Sequence, residues 1–136
     1  MKEIYDKQSR NNLIKYRLQR AKETLIEAKY NADGGYYNAA INRLYYACFY
    51  ASIALLLANN LETSTHKGVK SLLGLHFINT GKLESKYGSI YQLLFSNRQS
   101  GDYEDFIFCD EKLFNDLYPK SEEYVEKLTR LIEAGD

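Results

Sequence analysis

Between Leu44 and Ala58 the chain runs LYYACFYASIALLLA, with no charged side chain. A helix over 36–59 then carries two apolar faces. Ala40, Leu44, Ala47, Ala51, Ala54 and Ala58 form a seam of mostly small residues that lets a neighbouring backbone approach closely, and Ile41, Tyr45, Cys48 and Leu55 cover a second face. With no broad face left for water, such a helix belongs in the middle of a bundle or at a subunit interface.

The flanking segments carry the narrower stripes of helices that pack around such a centre. Over 9–32, Ile14, Leu18, Ala21, Leu25 and Ala28 recur at alternating spacings of four and three before Asp33-Gly34-Gly35 stops the helix. After Asn59-Asn60, a third helix is predicted over 65–79 on Val69, Leu72, Leu73 and Phe77, N-capped by Thr63 or Thr65. A fourth covers 83–97 on Leu83, Ile90 and Leu94, whereas 98–108 (RQSGDYEDFIF) has no helical period. Asp110 caps a last helix on Leu113, Leu117, Tyr124, Leu128 and Leu131, which Pro119 should kink or divide after Tyr118. The fold class is therefore all-α: an up-and-down bundle of about five helices, expected to form a single domain over residues 1–136 with its core at about 10–132.

Eighteen basic residues balance eighteen acidic ones, so no whole-molecule field draws the chain to nucleic acid, and any phosphate binding must be local. Cys48 and Cys109 sit in no CxxC or Cys/His ligand spacing and read as free thiols, with no metal site. No phosphate-binding glycine loop, HExxH, GxSxG or EF-hand loop appears, and no cofactor is called for. The first ten residues lack an apolar core of signal-peptide length, and the run 51–58 is far too short to span a bilayer, so a cytoplasmic location without membrane contact is expected.

Three places could carry chemistry. Arg43, with Asn42 before it, shares a helical track with Tyr46, Tyr50 and Ile53, where its guanidinium can stack on a phenol, pair with an internal carboxylate or hold a phosphate bidentately. Arg98, at the predicted end of the fourth helix, can project into a loop carrying Asp102, Tyr103 and Glu104, or can simply cap the helix and pair with an acid. His66 and Lys67 open the third helix, where an imidazole can meet phosphate or shuttle protons, and where surface histidines are also common. The thirteen tyrosines suit half-wet surfaces, either protein interfaces or base-stacking platforms.

The run Ala39-Ala40-Ile41-Asn42-Arg43-Leu44-Tyr45-Tyr46-Ala47-Cys48-Phe49-Tyr50, followed by Thr65-His66-Lys67-Gly68-Val69 and by Arg98 with Asp102-Tyr103, resembles the HEPN domains of prokaryotes, especially the small UPF0332 group. The resemblance covers roughly residues 10–132. It implies a helical bundle that forms homodimers, in a superfamily tied to RNA cleavage and nucleotide binding. Many members are toxins encoded beside a minimal nucleotidyltransferase that acts as antitoxin. Its ribonuclease members place a histidine four to six residues after an arginine, whereas here Tyr103 follows Arg98 and no histidine lies downstream. A phenol is a poor general base at neutral pH, so Tyr103 can donate a hydrogen bond or a proton but cannot readily deprotonate a ribose hydroxyl.

These residues support three expectations. The first is a dimeric binding domain, joined through its apolar second helix, for a nucleotide, RNA or a nucleotidyltransferase partner, with Asn42, Arg43, Tyr46, Lys67 and Asp102 as ligand contacts. The second is a metal-independent endoribonuclease toxin using Arg98, Tyr103 and His66. The third is a structural assembly domain. The first requires Arg43, His66, Arg98 and Tyr103 to converge on one cleft.

Overall fold

The computed structural model describes residues 5–103 and 109–135, with the backbone alone described at 99–103. Its helices are α1 (Lys7–Asp33), α2 (Tyr37–Ala58), α3 (His66–Leu73), α4 (Ser85–Tyr103) and α5 (Glu111–Ala134), and α3 continues into a π-helical turn, Gly74–Ile78. They form an all-α, up-and-down bundle. The hub is α2, which packs on α1 most extensively and also on α3, α4 and α5.

That placement follows from its composition. Ala40, Leu44, Ala47, Ala51 and Ala54 of the small-residue seam are fully buried, as are Ile41, Tyr45, Cys48 and Leu55 to within a few per cent. Of the two settings that suit such a helix, the middle of the bundle is the one observed. The seam is covered within the chain by the other helices, and half-buried residues, Tyr46, Phe49, Tyr50 and Ile53 among them, make up the outward side of α2. By length and composition alone α2 could also cross a membrane, but 67% of its most apolar window is buried against the other helices. The bundle accounts for its hydrophobicity.

Turn chemistry sets the ends. Gly35 takes a left-handed φ of 83°, and the Tyr36 N–H reaches back to the Asn31 carbonyl at 2.8 Å, so α2 folds directly onto α1. Thr65 and Asp110 cap α3 and α5 by accepting from the backbone N–H groups of Gly68 and Leu113, both at 2.9 Å. Four buried polar residues are satisfied within their own helices: the hydroxyls of Thr24, Ser52, Ser121 and Thr129 donate to the carbonyls of Arg20, Cys48, Leu117 and Val125. Both cysteines are free and buried.

Two helix boundaries differ from expectation. Pro119 does not divide α5, which runs unbroken from Glu111 to Ala134. Pro119 and Asn115 are both exposed, so the Asn115 carbonyl that loses its helical partner faces water. In addition, α4 continues past residue 97 to Tyr103. An established helix gains a hydrogen bond with each added residue, so it can extend through RQSGDY without an apolar stripe.

Gly68 is fixed by the cap. A Cβ at this position would press on the hydroxyls of both Thr63 and Thr65. Gly68→Ala is therefore expected to destabilise the chain by about 1–3 kcal/mol through overpacking, measured as a lower urea midpoint, whereas Gly74→Ala meets no atom and should not.

Candidate functional site

Three helices contribute to one polar cleft. Asn31 lies near the end of α1, Asn42 and Arg43 on α2 one turn beyond Asn38, and Asn97 and Arg98 on α4; together they line a cleft of about 400 Å³. The two arginines singled out in the sequence thus share one space, although they lie 55 positions apart in the chain. No carboxylate is among the described residues lining it.

Its amides are engaged in different ways: Asn97 Nδ2 donates to the Leu93 carbonyl at 2.8 Å, whereas Asn38 and Asn42 use their oxygens. Asn38 Oδ1 accepts from the backbone N–H of Cys109 at 3.2 Å, and Asn42 Oδ1 accepts from Arg43 Nη2 at 3.3 Å. With those oxygens engaged, the Nδ2 groups remain as donors beside two guanidinium groups. Two guanidinium groups with the Nδ2 groups of Asn38 and Asn42 beside them suit an anion with several oxygens, and above all a phosphate.

Arg43 is held from two sides. Its guanidinium lies 5.0 Å from the centre of the Tyr46 ring, and Nη1 is 3.6 Å from Glu27 Oε1. Both groups of that ion pair are partly exposed, with side-chain exposures of 30% and 43%. Solvent therefore weakens the pairing and leaves the arginine able to exchange partners.

Arg98 belongs to an aromatic cluster on the inner side. Its guanidinium lies 4.9 Å from the centre of the Tyr45 ring and 5.6 Å from that of Phe95. The fully buried Tyr45 also hydrogen-bonds His66 Nδ1 at 2.6 Å. The imidazole stacks on Phe49 at 4.4 Å and meets Tyr46 edge-on at 5.8 Å. Folding thus brings His66 and Arg98 onto one tyrosine, through the Thr65 cap that turns α3 back toward α2.

Burial lowers the His66 pKa below its ordinary 6.5, and the charge of Arg98 lowers it further. Tyr45 is shifted upward chiefly by burial, against the hydrogen bond from Tyr91 and the charge of Arg98, so its phenol stays protonated at neutral pH. These shifts give the site a pH signature. Between the folded and unfolded pKa values of His66 the unfolded chain binds more protons, so this contribution to stability is complete above about pH 6.5 and is lost as the pH falls toward the folded value. From about pH 7.5 to about pH 5.5 the urea midpoint of the wild type should fall more than that of His66→Gln; parallel slopes would contradict it.

Not every candidate joins this assembly in the same way. Asn42, Arg43 and Arg98 line the cleft, while Tyr46 and His66 pack in the aromatic cluster beside it. Lys67 is exposed at the start of α3 and does not line the cleft. Asp102 and Tyr103 lie outside the described side chains, as does Glu104. Arg98 sits within α4 rather than at its end, which corrects the picture of a residue projecting from a helix terminus. Sequence reasoning passed over Asn31, Asn38, Asn97 and Tyr45. The spacing of Asn38 and Asn42, four residues apart on one helix face, was a usable signal; the positions of Asn31 and Asn97 depend on tertiary packing. No group of three or more His, Cys, Asp or Glu side chains among the described residues is arranged to hold a metal ion.

Comparison with known proteins agrees with this architecture. A model of the HEPN domain matches residues 14–134. A UPF0332 protein of Thermotoga maritima is 36% identical over 91% of this chain and 94% of its own. Two proteins of Methanocaldococcus jannaschii, each named a "putative toxin", are 32% identical over 98% of both chains and 26% identical over 90% of this chain and 89% of the relative.

Proposed function

The chain belongs to the HEPN domain family, and from that premise we propose that it is a binding module that takes phosphate groups of RNA or a nucleotide into the cleft between α1, α2 and α4. The observation that carries this reading is the pairing of Arg43 and Arg98, from two different helices, in one cleft without a described carboxylate. The formal net charge is zero, so affinity must come from this local arrangement rather than from a general field. The toxin names of the two archaeal relatives favour a role in a cytoplasmic toxin–antitoxin or defence system. There the chain acts as a homodimer with a minimal nucleotidyltransferase as its partner.

A titration of fluorescently labelled single-stranded RNA, with adenosine monophosphate as competitor, tests the reading. Saturable binding that Arg43→Ala and Arg98→Ala both weaken is expected. Binding indifferent to both substitutions would place the ligand elsewhere.

A second reading, a metal-independent endoribonuclease, draws support from the imidazole of His66 in the field of Arg98. In that mechanism Arg98 stabilises the charge of a phosphorane-like transition state, Tyr103 donates a hydrogen bond or proton, and His66 supplies the imidazole. Incubating RNA with the protein in chelator separates the two readings. Cleavage that Arg98→Ala abolishes establishes the enzyme, and intact RNA under conditions of saturated binding leaves the binding module.

A further inference from the structure

The hydroxyls around His66 form a short directional chain. Tyr91 is 1% exposed, and its hydroxyl donates to the hydroxyl oxygen of Tyr45 at 3.3 Å. Tyr45 is itself fully buried and has one proton to place. Its oxygen already accepts from Tyr91, and its remaining partner is His66 Nδ1 at 2.6 Å. A buried hydroxyl that fails to donate is costly, so the proton of Tyr45 goes to His66. Nδ1 must then be the unprotonated nitrogen. The guanidinium of Arg98, 4.9 Å from the centre of the same Tyr45 ring, disfavours a second positive charge on the imidazole. The ring is therefore neutral, with its single proton on Nε2.

We propose that Tyr45, itself oriented by Tyr91, is a positioning residue that holds His66 as the Nε2–H form, so that His66 offers a hydrogen-bond donor to the phosphate ligand rather than a general base. The stacking of the imidazole on Phe49, with Tyr46 edge-on, fixes the plane of the ring and so the direction of that donor. Residues from α2, α3 and α4 then act together: the two tyrosines set which nitrogen of His66 carries the proton, beside the cleft that Arg98 lines. The choice of ligand rests on the phosphate-binding reading above. The protonation pattern does not, and it can be measured on the protein without ligand.

The chain has only two histidines, so two-bond proton–nitrogen correlation spectra of the labelled full-length protein at neutral pH can be assigned with a single His76→Gln control. His66 is expected to show an unprotonated Nδ1 and a protonated Nε2, and Tyr45→Phe should shift it to a mixture of the two forms. A protonated Nδ1 in the wild type, or an unchanged pattern in Tyr45→Phe, would overturn the proposal. Should Tyr45→Phe fail to fold, a pair of His66 variants takes its place. Asn presents its amide near Nδ1 and Gln near Nε2, so His66→Asn should weaken binding of labelled single-stranded RNA by about tenfold and His66→Gln should restore most of it. Equal losses in the two would overturn the donor role. Absence of RNA binding by the wild type would instead count against the phosphate-binding reading, with the spectra still deciding the role of Tyr45.

Discussion

Arg98→Ala is expected to weaken binding of single-stranded RNA by roughly 10- to 100-fold, because a hydrogen bond to a charged group contributes about 1.5–3 kcal/mol. The loss has two parts. The substitution removes a guanidinium from the cleft, and it also uncovers the rings of Tyr45 and Phe95 on which that group lies. The second part shows in the free protein as a modest destabilisation of about 1 kcal/mol, which a urea titration measures separately. Arg98→Lys distinguishes charge from geometry. Lysine keeps the charge but not the planar fork, so it should recover only part of the affinity if the phosphate is gripped bidentately. Full recovery would mean that charge alone is at work.

Leu44→Ala should produce the largest change in stability. Leu44 is fully buried on the small-residue seam of α2, the helix that touches all the others. Truncation there leaves a void that close-packed alanines cannot fill, at a cost of about 2–5 kcal/mol. Since domains of this kind are stable by only about 5–15 kcal/mol, the urea midpoint should drop steeply while the slope of the transition is retained. Ile26, 70% exposed on α1, provides the contrast. Ile26→Ala should alter stability by no more than about 0.5 kcal/mol, although it removes as many carbons as Leu44→Ala.

The helical frame was legible because its signals are local. The stripe of Ile14, Ala21 and Ala28 faces the core, Asp110 caps α5, and Gly35 takes the left-handed turn that its position demands. Polar residues in the interior were less visible. Thr24, Ser52, Ser121 and Thr129 interrupt the apolar pattern, yet each closes its hydroxyl onto the preceding helical turn and so behaves as a small core residue.

The cleft was half legible. Arg43 and Arg98 stood out as basic residues in unusual settings, but only tertiary packing reveals that they face one space with Asn31 and Asn97. The sequence singled out Tyr46 beside Arg43. The structure gives Tyr45 the more central place, because it is the buried ring that meets both His66 and Arg98. Adjacent tyrosines on a helix point in directions about 100° apart, and periodicity alone does not say which of them meets residues from α3 and α4.

The central claim is that Arg43 and Arg98 hold one phosphate together, and a double-mutant cycle on RNA affinity tests it most directly. Dissociation constants would be measured for the wild type, Arg43→Ala, Arg98→Ala and the double variant at one ionic strength. Two arginines on one phosphate should give single losses that do not add, with the double variant losing about 1 kcal/mol or more less than their sum. Strictly additive losses would contradict the claim, because they would mean that the two arginines contact separate parts of the ligand.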